Sequence, residues 1–501
     1  MLGADKKQPL FQLMSNTASN MQRIPLVVEI SNPPTAPQAF EAFKDRPFSF
    51  FLDSGMDPQR LGRYSFMGSD PFLIMRSRGR DITLIRPEGE TATLGNPFDV
   101  LGELLREYKL DGNPTGLPFV GGVVGYLSYD LGHFIERLPS KAVDDLQLPE
   151  CYLAFYDAVA IFAHLEGRAY VAATGFPEKG SDWQRRAEIR LEEMKQTVAQ
   201  APRLEEDKAS YLDQPVSERV NLRSNFTHER YLEAVERARE YIKAGDIFQV
   251  NLSQRFEADM PLPPYELYRR LRKINPAPFA SYLNFDGVTV VSASPERFLR
   301  LRDDRVETRP IKGTRPRGKD PAADQALARE LANSFKDKAE HVMIVDLERN
   351  DIGRVCRFGT VRVSELMALE KYATVLHLTS TVEGRLRPGK NAIALLKATF
   401  PGGSISGAPK VRAMEIIDEL EPTKRSVYTG SIGYIGFDGG LDLDIVIRTI
   451  LVKEGKAYFQ VGGAVVYDSD PEAEYVETLD KAKALIQALS MVPQLVSEAA
   501  R

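Results

Sequence analysis

RPIKGTRPRG, residues 309–318, sets one lysine among three arginines beside a Gly-Thr pair. Cations at this density favour an anionic ligand, and Gly313 can bring backbone N–H groups close to a carboxylate or phosphate. The neighbouring guanidinium groups are expected to disfavour protonation of Lys312, which makes its amine a better nucleophile. The alternative interpretation is a basic turn at the surface, because runs of charge are usually solvated. The motifs that accompany this stretch decide between the two.

The composition of the chain excludes several classes of protein. Its 501 residues are 43% hydrophobic and 27% charged, which is enough for one very large core or several smaller ones. A formal net charge of -5 argues against binding to nucleic acid or to a membrane surface, since both need a basic face. The sequence has two cysteines, no apolar run near the ~20 residues that span a bilayer, and no signal core. We therefore expect a cytoplasmic protein whose partners are small molecules or other proteins.

Sequence patterns divide the chain into five stretches. Short apolar runs separated by Gly, Pro and Asp predict a β-rich region over 21–178, and a helix with a polar connector is predicted over 179–225. Strands mixed with long helices are predicted over 226–490. The two ends are predicted to be a flexible start, 1–20, and a short tail, 491–501. This mixed order favours an α+β fold over a regular βαβ array.

Local sequence patterns predict two helices and indicate a short internal similarity. Helical spacing over 181–199 predicts an amphipathic helix, and Thr227 is predicted to cap a second helix that runs to Ala244. A faint internal echo is also present, because GVVGYLSYD at 122–130 resembles GSIGYIGFD at 430–438. The echo is too short to prove a duplication.

Two pairs of carboxylates indicate a metal site. Asp337 with Glu340, and Glu474 with Glu477, recur at i and i+3, so each pair lies on one face of a predicted helix. Two such faces can hold a divalent ion, and oxygen ligands without a Cys/His cluster suit Mg²⁺ better than Zn²⁺. The alternative is that these acids are exposed and pair with nearby lysines.

Further candidates lie downstream. PGGSISGAPK, residues 401–410, precedes a predicted helix but lacks Walker spacing, so nucleotide binding is not expected. Arg448 can bind a carboxylate through two hydrogen bonds. The alternative is that it is a buried structural arginine. His377, taken alone, is more often a satisfied strand histidine than an acid or base.

Nine motifs follow one another between residues 226 and 489, namely DIFQVNLSQRF, SPERF, RPIKGTRPRG, AEHVMIVDLERNDIGRV, LHLTSTVEG, FPGGSISGAPK, GSIGYIGF, IVIRT and QVGGAVVYDSDPEAEYVETLDKAKAL. In this combination they resemble the chorismate-utilising enzymes, above all the anthranilate synthase and aminodeoxychorismate synthase component I families. The region before them resembles the same families more loosely. The resemblance implies two facing, largely antiparallel β-sheets with helices outside, and a Mg²⁺-dependent chorismate site in the C-terminal region.

The resemblance also implies roles for individual residues. Glu340 and Glu477 match the main metal-binding carboxylates, while Asp337 and Glu474 match supporting positions. Asp337 is one methylene shorter than the usual glutamate. The positions that match those holding chorismate are Gly313, Thr314, Tyr434, Arg448, Gly462, Gly463 and Ala464.

Lys312 distinguishes the two amination families. PIKGT resembles aminodeoxychorismate synthases, whereas anthranilate synthases typically resemble PIAGT. The lysine amine can add at ring C2 and expel the 4-hydroxyl, after which ammonia enters at C4 and releases the lysine. The resemblance thus implies 4-amino-4-deoxychorismate as product, on the route to para-aminobenzoate and folate. Anthranilate is the alternative product, and a non-catalytic ligand-binding subunit is the alternative of another class.

Other residues bear on the reaction and its partners. His377 matches a histidine in both families and is, with Lys312, a candidate catalytic residue. Gln249 stands where members that use water have lysine. Neither Cys151 nor Cys356 lies on the glycine-flanked elbow of a glutaminase, so the resemblance implies a separate glutamine amidotransferase subunit that supplies ammonia. Ser54 lies in an element that resembles a tryptophan-binding pocket, which makes tryptophan a further candidate ligand.

Overall fold

The computed structural model describes residues 22–57, 59–202, 220–260, 262–372 and 375–490. The predicted start over 1–20, the tail over 491–501 and much of the polar connector lie outside the described residues. Within these described ranges, two antiparallel sheets of 12 strands each face one another, with helices on their outer sides. The α+β sandwich that the resemblance implied is therefore confirmed.

The first sheet is described by its strands in spatial order. These are β1 Leu26–Glu29, β10 Arg168–Ala173, β9 Ala158–Ala163, β3 Tyr64–Gly68, β2 Ser49–Asp53, β13 Phe279–Phe285, β14 Val288–Ser294, β23 Thr449–Lys453, β24 Lys456–Val465, β12 Gln249–Asp259 and β11 Arg223–Ser224, with β20 Gly407–Ala408 beside β12.

The second sheet is built in the same way. Its strands are β17 Ile311–Pro316, β19 Val375–Arg385, β16 Arg305–Arg309, β15 Arg297–Arg302, β22 Leu441–Asp444, β21 Ser431–Gly436, β7 Gly122–Leu127, β8 Cys151–Tyr156, β4 Leu73–Arg78, β5 Asp81–Arg86 and β6 Gly89–Leu94, with β18 Arg362–Lys371 beside β19.

The helices cover the sheets and carry part of the candidate site. They are α1 Ala36–Phe40, α2 Pro97–Glu107, α3 Asp182–Ala199, α4 His228–Ala244, α5 Pro264–Ile274, α6 Pro321–Asn333, α7 Phe335–Gly353, α8 Ala392–Thr399, α9 Lys410–Leu420 and α10 Pro471–Leu489, with short 3₁₀ turns at Tyr129–Phe134 and Gly403–Ile405. Among the described residues, none of these helices is both long and apolar enough to cross a bilayer.

Each sheet consists of two blocks of strands. Strands from 21–178 form one block and strands from beyond residue 220 form the other, and the blocks meet edge to edge. The meeting points are β2 with β13 in the first sheet and β7 with β21 in the second. The two long stretches named from the sequence therefore share both sheets and one core.

The main core lies between the two sheets. Phe66 of the first sheet packs on Tyr434 of the second, with ring centroids 5.4 Å apart. The strands β8 and β9 are buried along their whole length. A second apolar cluster fills the space between the first sheet and the helices α3, α5 and α10.

The local patterns in the sequence are confirmed. The helix predicted over 181–199 is α3, and Thr227 caps α4 by accepting a hydrogen bond from the backbone N–H of Arg230. The two echo segments pair with each other as β7 and β21. Gly125 lies opposite Gly433 in that pairing. The echo therefore reflects two similar strands at the centre of the second sheet.

Gly433→Ala is expected to lower the free energy of unfolding by about 2 kcal/mol or more. Gly433 has a φ of 148°, and an added Cβ would lie 2.1 Å from the carbonyl oxygen of Asp442. Urea unfolding of the full chain measures the change. The control is Gly112→Ala, where an added Cβ meets nothing within 4 Å and the effect should stay below about 0.5 kcal/mol. Equal losses in both variants would contradict the argument.

Candidate active site

RPIKGTRPRG forms the end of β16 and the edge strand β17. At Gly313, with a φ of 81°, the register with β19 shifts, so that Lys312 lies opposite Leu378 and Thr314 lies opposite His377. An added Cβ at Gly313 would lie 2.9 Å from the side chain of Leu331. A β-bulge therefore sits between the two polar residues, as is common next to active sites.

The arginines of this stretch are bound to acids. The ion pairs are Arg309 with Glu370, Arg315 with Glu330 at 2.7 Å and Asp337 at 3.0 Å, and Arg317 with Asp324 at 2.5 Å. The expectation that these guanidinium groups act on Lys312 is therefore wrong. Burial lowers the pKa of Lys312, the attraction of Glu340 opposes this, and the ammonium of Lys481 adds to the lowering.

Glu296, in the motif SPERF, faces the same site. Its side chain is buried, and the backbone N–H of Ile311 approaches its Oε1 at 3.4 Å. Burial raises the pKa of Glu296 to about 7, while the Ser404 hydroxyl, Lys312 and Arg448 act in the opposite direction. Such a carboxyl can give and take a proton near neutral pH. No role was predicted for Glu296 from the sequence, although a charged residue between two apolar strands is a signal that could have indicated one.

His377 is buried on β19 with one ring nitrogen unused. Its Nδ1 lies 2.9 Å from the hydroxyl of Thr314, while Nε2 has no partner among the described residues. Burial, followed by the charge of Arg448, lowers the pKa of His377 to about 3, so the ring is neutral at pH 7. Arg448 itself has a φ of 52° and reaches Asn275 Oδ1 at 3.4 Å. The structure thus brings Thr314, His377 and Arg448 together.

The predicted carboxylate faces of α7 and α10 meet beside Lys312. Burial raises the pKa of Glu340, Lys312 opposes this, and the charge of Glu477 adds to it. The side chain of Glu477 is about half exposed, so burial acts on it only in part, and the ammonium of Lys481, 2.7 Å away, holds the pKa of Glu477 below its usual value. The two helices therefore place Glu340 and Glu477 within electrostatic reach of each other and of the lysine.

The supporting carboxylates differ from each other. Glu474 accepts a hydrogen bond from the Ser469 hydroxyl at 2.6 Å through Oε1, while its Oε2 is buried without a partner among the described residues. An added Cβ at Gly463 would lie 3.0 Å from Glu474 Oε2. Asp337 pairs with Arg315 at 3.0 Å, and its charge still reaches Glu340 of the same helix.

The acids present fit a hard cation with few protein ligands. In the described part of the chain, no three His, Cys, Asp or Glu side chains are close enough to form a complete metal cluster. The Glu474 oxygen without a partner, with Glu477 on the same helix and Glu340 within electrostatic reach of Glu477, still offers carboxylate oxygens to a cation. Mg²⁺ usually keeps several waters and takes one or two carboxylates, so this donor set suits it.

Three further residues assigned to chorismate lie in β24, next to the strand β12. Gly462, Gly463 and Ala464 lie opposite Ser253, Leu252 and Asn251 in the pairing of these strands. The carbonyl of Gly462 accepts a hydrogen bond from Lys481 Nζ at 2.7 Å. Gln249, at the start of β12, is fully buried with both amide atoms unpaired within the described ranges.

Tyr434 lies away from Lys312, in a cavity between the two sheets. Its ring stacks on Phe119 with centroids 4.5 Å apart. The cavity has a volume of about 690 Å³ and is also lined by Ser54, whose hydroxyl donates a hydrogen bond to the carbonyl of Tyr64 at 2.6 Å. The structure therefore groups Tyr434 with Ser54 and not with the other residues assigned to chorismate.

The glycine-rich stretch 401–410 forms the 3₁₀ turn Gly403–Ile405 at the edge of the site. The carbonyl of Ser404 accepts a hydrogen bond from Asn251 Nδ2 at 3.1 Å. The backbone N–H of Gly403 donates one to Glu348 Oε1 at 3.0 Å. The turn is thus held to β12 and α7 by hydrogen bonds and serves as a structural support.

Comparison with known proteins agrees with this geometry. Residues 62–487 match the family model of chorismate binding enzymes. An anthranilate synthase component 1 from Cereibacter sphaeroides is 43% identical over 448 residues, covering 88% of this chain and 89% of the relative. An aminodeoxychorismate synthase component 1 from Bacillus subtilis is 40% identical over 437 residues, covering 87% of this chain and 91% of the relative.

A solved structure shares the fold. The anthranilate synthase component I from Streptococcus pneumoniae matches with a TM-score of 0.73 and 33% sequence identity. The match covers 85% of this chain and 92% of that one. Sequence and architecture are thus shared over most of the length.

Glu477→Gln is expected to weaken Mg²⁺ binding by about tenfold or more, since it removes a negative charge from the donor set. Calorimetric titration of the full chain with MgCl₂ measures the affinity without relying on turnover. Glu472→Gln is the matched control, because Glu472 is exposed on the same helix and pairs with His228 at 2.9 Å. Unchanged affinity in Glu477→Gln would contradict the site.

Proposed function

Since this chain belongs to the chorismate binding enzymes, it acts on chorismate, and we propose that it replaces the 4-hydroxyl by an amino group. The product is 4-amino-4-deoxychorismate, as for aminodeoxychorismate synthase component I, on the route to para-aminobenzoate and folate. The observation that carries the proposal is Lys312, an amine whose pKa burial lowers, within electrostatic reach of the buried acid Glu296. A nucleophile and an acid in this arrangement suit a substitution with loss of hydroxide as water.

The substitution proceeds in two steps. The amine of Lys312 forms a bond to ring C2, the ring double bonds shift, and the C4–O bond breaks as the hydroxyl takes the proton of Glu296 and leaves as water. Ammonia then forms a bond to C4, the double bonds shift back, and the C2–N bond breaks to return the electron pair to the lysine. The ammonium formed at C4 gives its extra proton back to Glu296, so the acid and the nucleophile are both regenerated.

Chorismate carries two carboxylates, and the site offers a partner for each. Arg448 is proposed to bind the enolpyruvyl carboxylate. A divalent cation such as Mg²⁺, held by Glu340, Glu477 and Glu474, would neutralise the ring carboxylate. The residues proposed to contact chorismate are Gly313, Thr314, His377, Arg448, Gly462, Gly463 and Ala464.

Ammonia is proposed to come from a separate glutamine amidotransferase subunit. Cys151 and Cys356 are both buried and unpaired. Burial raises the pKa of the Cys356 thiol to about 11, and burial raises that of Cys151 as well. A glutaminase needs a reactive thiolate, so glutamine hydrolysis is assigned to a partner. Unpaired thiols also suit the reducing cytoplasm.

Anthranilate synthesis is the second candidate. Two of the three proteins compared above carry the name anthranilate synthase component I. That reaction would use the same metal site, Glu296 and Arg448, but ammonia would enter at C2 and pyruvate would leave. Lys312 would then have no covalent role, and this difference separates the two candidates.

The cavity between the sheets is proposed to bind tryptophan. It is lined by Ser54 and by strands of both sheets, and its volume of about 690 Å³ accommodates an amino acid. Arginine and aspartate side chains both line its walls, which suits the carboxylate and the amine of such a ligand.

Lys312→Ala should slow formation of 4-amino-4-deoxychorismate with ammonium by about tenfold or more, or about 1.4 kcal/mol. Lys312→Arg should slow this reaction to a similar extent, because a guanidinium stays protonated and cannot act as the nucleophile. Product identification by chromatography and mass spectrometry measures both. Lys319→Ala, at an exposed position seven residues further on, is the control. When ammonia is withheld, the wild-type peptide containing PIKGT should gain the mass of the ring adduct.

The outcome of that experiment decides between the candidates. Anthranilate and pyruvate as products, with Lys312→Ala as active as the wild type, would make the second candidate correct.

The isolated chain should use ammonium and give no turnover with glutamine alone, because neither cysteine can act as a glutaminase nucleophile. Chorismate consumption at alkaline pH, where free ammonia is more abundant, measures the ammonium-dependent activity. Adding a glutamine amidotransferase subunit should give glutamine-dependent activity. Robust glutamine-dependent turnover by the purified single chain would rule out the two-subunit arrangement.

A further inference from the structure

We propose that His341, on α7, is a positioning residue that holds the strand of Lys312 against the helix of Glu340 through a hydrogen bond to Ser380 on β19. The inference rests on the proposed function, in which Lys312 is the nucleophile and Glu340 a metal carboxylate. These two groups belong to different elements, β17 and α7. A displacement of about 1 Å between reacting groups can slow a reaction by about 100-fold, so the contact between these elements bears on the rate.

Ser380 joins β19 to the strands on both of its sides. Its backbone N–H donates a hydrogen bond to the carbonyl of Pro310 at 3.2 Å, where β16 ends and β17 begins. Its hydroxyl oxygen accepts a hydrogen bond from the backbone N–H of Met367 on β18 at 2.9 Å. Ser380 is fully buried, so losing either bond would leave a polar group without water to replace its partner. Ser380 therefore ties three neighbouring strand segments together.

A β-bulge in β18 lies opposite Ser380. The register between β18 and β19 shifts between Glu365 and Ala368, so that two residues of β18 lie opposite one residue of β19. Met367, one of these two, has a φ of 53°, in the left-handed region that residues other than glycine seldom adopt. Such strain persists where the surroundings hold it and is common next to active sites. The hydrogen bond from Met367 to Ser380 helps to hold it here.

The bond from Met367 fixes the direction of the bond between Ser380 and His341. His341 is fully buried, and its Nε2 lies 2.6 Å from the Ser380 hydroxyl. Burial lowers the pKa of His341 to about 4, with the backbone of Lys312 acting in the opposite direction, so the ring is neutral at pH 7 and carries one N–H. Among the described residues, the hydrogen of the Ser380 hydroxyl has no acceptor other than His341. The hydroxyl therefore donates to Nε2, and the ring hydrogen lies on Nδ1.

Lys312 and Ser380 lie on the same face of the second sheet. Lys312 is directly opposite Leu378 in the pairing of β17 with β19, and Leu378 is two residues from Ser380 along β19. Directly opposite residues, and alternate residues of one strand, project from the same face. The contact between Ser380 and His341 shows that α7 covers this face. Glu340 precedes His341 on the helix, so the bond joins the two elements next to the metal carboxylate.

Two other contacts between α7 and this sheet are weaker. Near the start of the helix, Asp337 pairs with Arg315 at 3.0 Å, and both side chains are partly exposed. Further along, the hydroxyl of Thr308 lies 3.4 Å from Glu348 Oε2, which is long for a hydrogen bond. The bond from His341 lies between these two contacts along the helix, and it is both shorter and fully buried. It is therefore well placed to set the separation of the helix and the strand.

The bond can be removed from either side. His341→Ala removes the ring, His341→Gln keeps an amide that can accept from the Ser380 hydroxyl, and Ser380→Ala removes the hydroxyl while the histidine stays. The matched controls are His228→Gln and Ser364→Ala. His228 is exposed and pairs with Glu472 at 2.9 Å, and Ser364 is exposed on β18.

The measurement is the rate at which the chorismate adduct forms on Lys312 in the full chain, with MgCl₂ present and ammonia withheld, followed by mass spectrometry after rapid quenching. Ser380→Ala and His341→Ala should each slow it by about tenfold or more, with Mg²⁺ affinity by calorimetry within about twofold of the wild type. His341→Gln should recover at least about threefold of this loss. The double variant should be within about twofold of the single variants. A purely structural role would lower the amount of adduct and not its rate, and both controls should match the wild type.

A spectroscopic measurement tests the direction of the bond without turnover. The chain has five histidines, and in protein labelled with ¹⁵N-histidine the ring signals of His341 are those lost in His341→Gln. The Nε2 signal should be that of an unprotonated nitrogen and the Nδ1 signal that of an N–H between about pH 6 and 9.

Several results would overturn the proposal. Wild-type adduct rates in both Ser380→Ala and His341→Ala, or an equal loss in Ser364→Ala, would remove the positioning role. A protonated Nε2 would remove the assigned direction of the bond. If His341→Ala does not fold, Ser380→Ala and His341→Gln decide the first point. If the wild type forms no adduct, the proposed function fails, and kcat for chorismate consumption then decides the role of His341, because β17 also carries Gly313 and Thr314, which are assigned to chorismate.

Discussion

A buried ion pair between Arg425 and Glu421 is the interaction on which the site most depends. Both residues are 3% exposed, and their charged groups lie 2.7 Å apart. Arg425 also donates to the carbonyls of Ile405 and Asn251, while Glu421 accepts from the backbone and hydroxyl of Ser253. One pair therefore joins α9, the 3₁₀ turn and β12. Removing one partner would leave a buried charge unpaired and would lower the free energy of unfolding by about 3–5 kcal/mol.

The site that this pair supports is rich in charges of both signs. Lys312 and Arg448 are basic groups, whereas Glu296, Glu340 and Glu477 are acids within electrostatic reach of Lys312. Chorismate is a dianion and would meet repulsion from ionised carboxylates on α7 and α10. A divalent cation held there reverses the local sign. The balance of charge thus explains why metal and substrate would bind in concert.

Features that depend on residues close together in the chain could be predicted from the sequence. Periodicity located α3, capping located Thr227, and i, i+3 spacing placed the carboxylates on helices. Side-chain partners were harder to predict, because they come from distant positions in the chain. Arg309 and Glu370, for example, are 61 residues apart, and no local pattern indicates that they pair. The cavity that Tyr434 lines could not be predicted for the same reason. Its motif matched, but only the packing of the two sheets determines which side its ring faces.

The two blocks of strands have a consequence for how the molecule holds together. Each sheet has one seam, at β2–β13 and at β7–β21, so the halves of the chain meet much as two subunits of a dimer would. The cavity between the sheets is lined from both sides of this junction, by Ser54 and Tyr434 among others. A molecule bound there touches both halves at once and works as a non-covalent cross-link. Its affinity and the cohesion of the halves are then thermodynamically linked quantities, so that strengthening one strengthens the other.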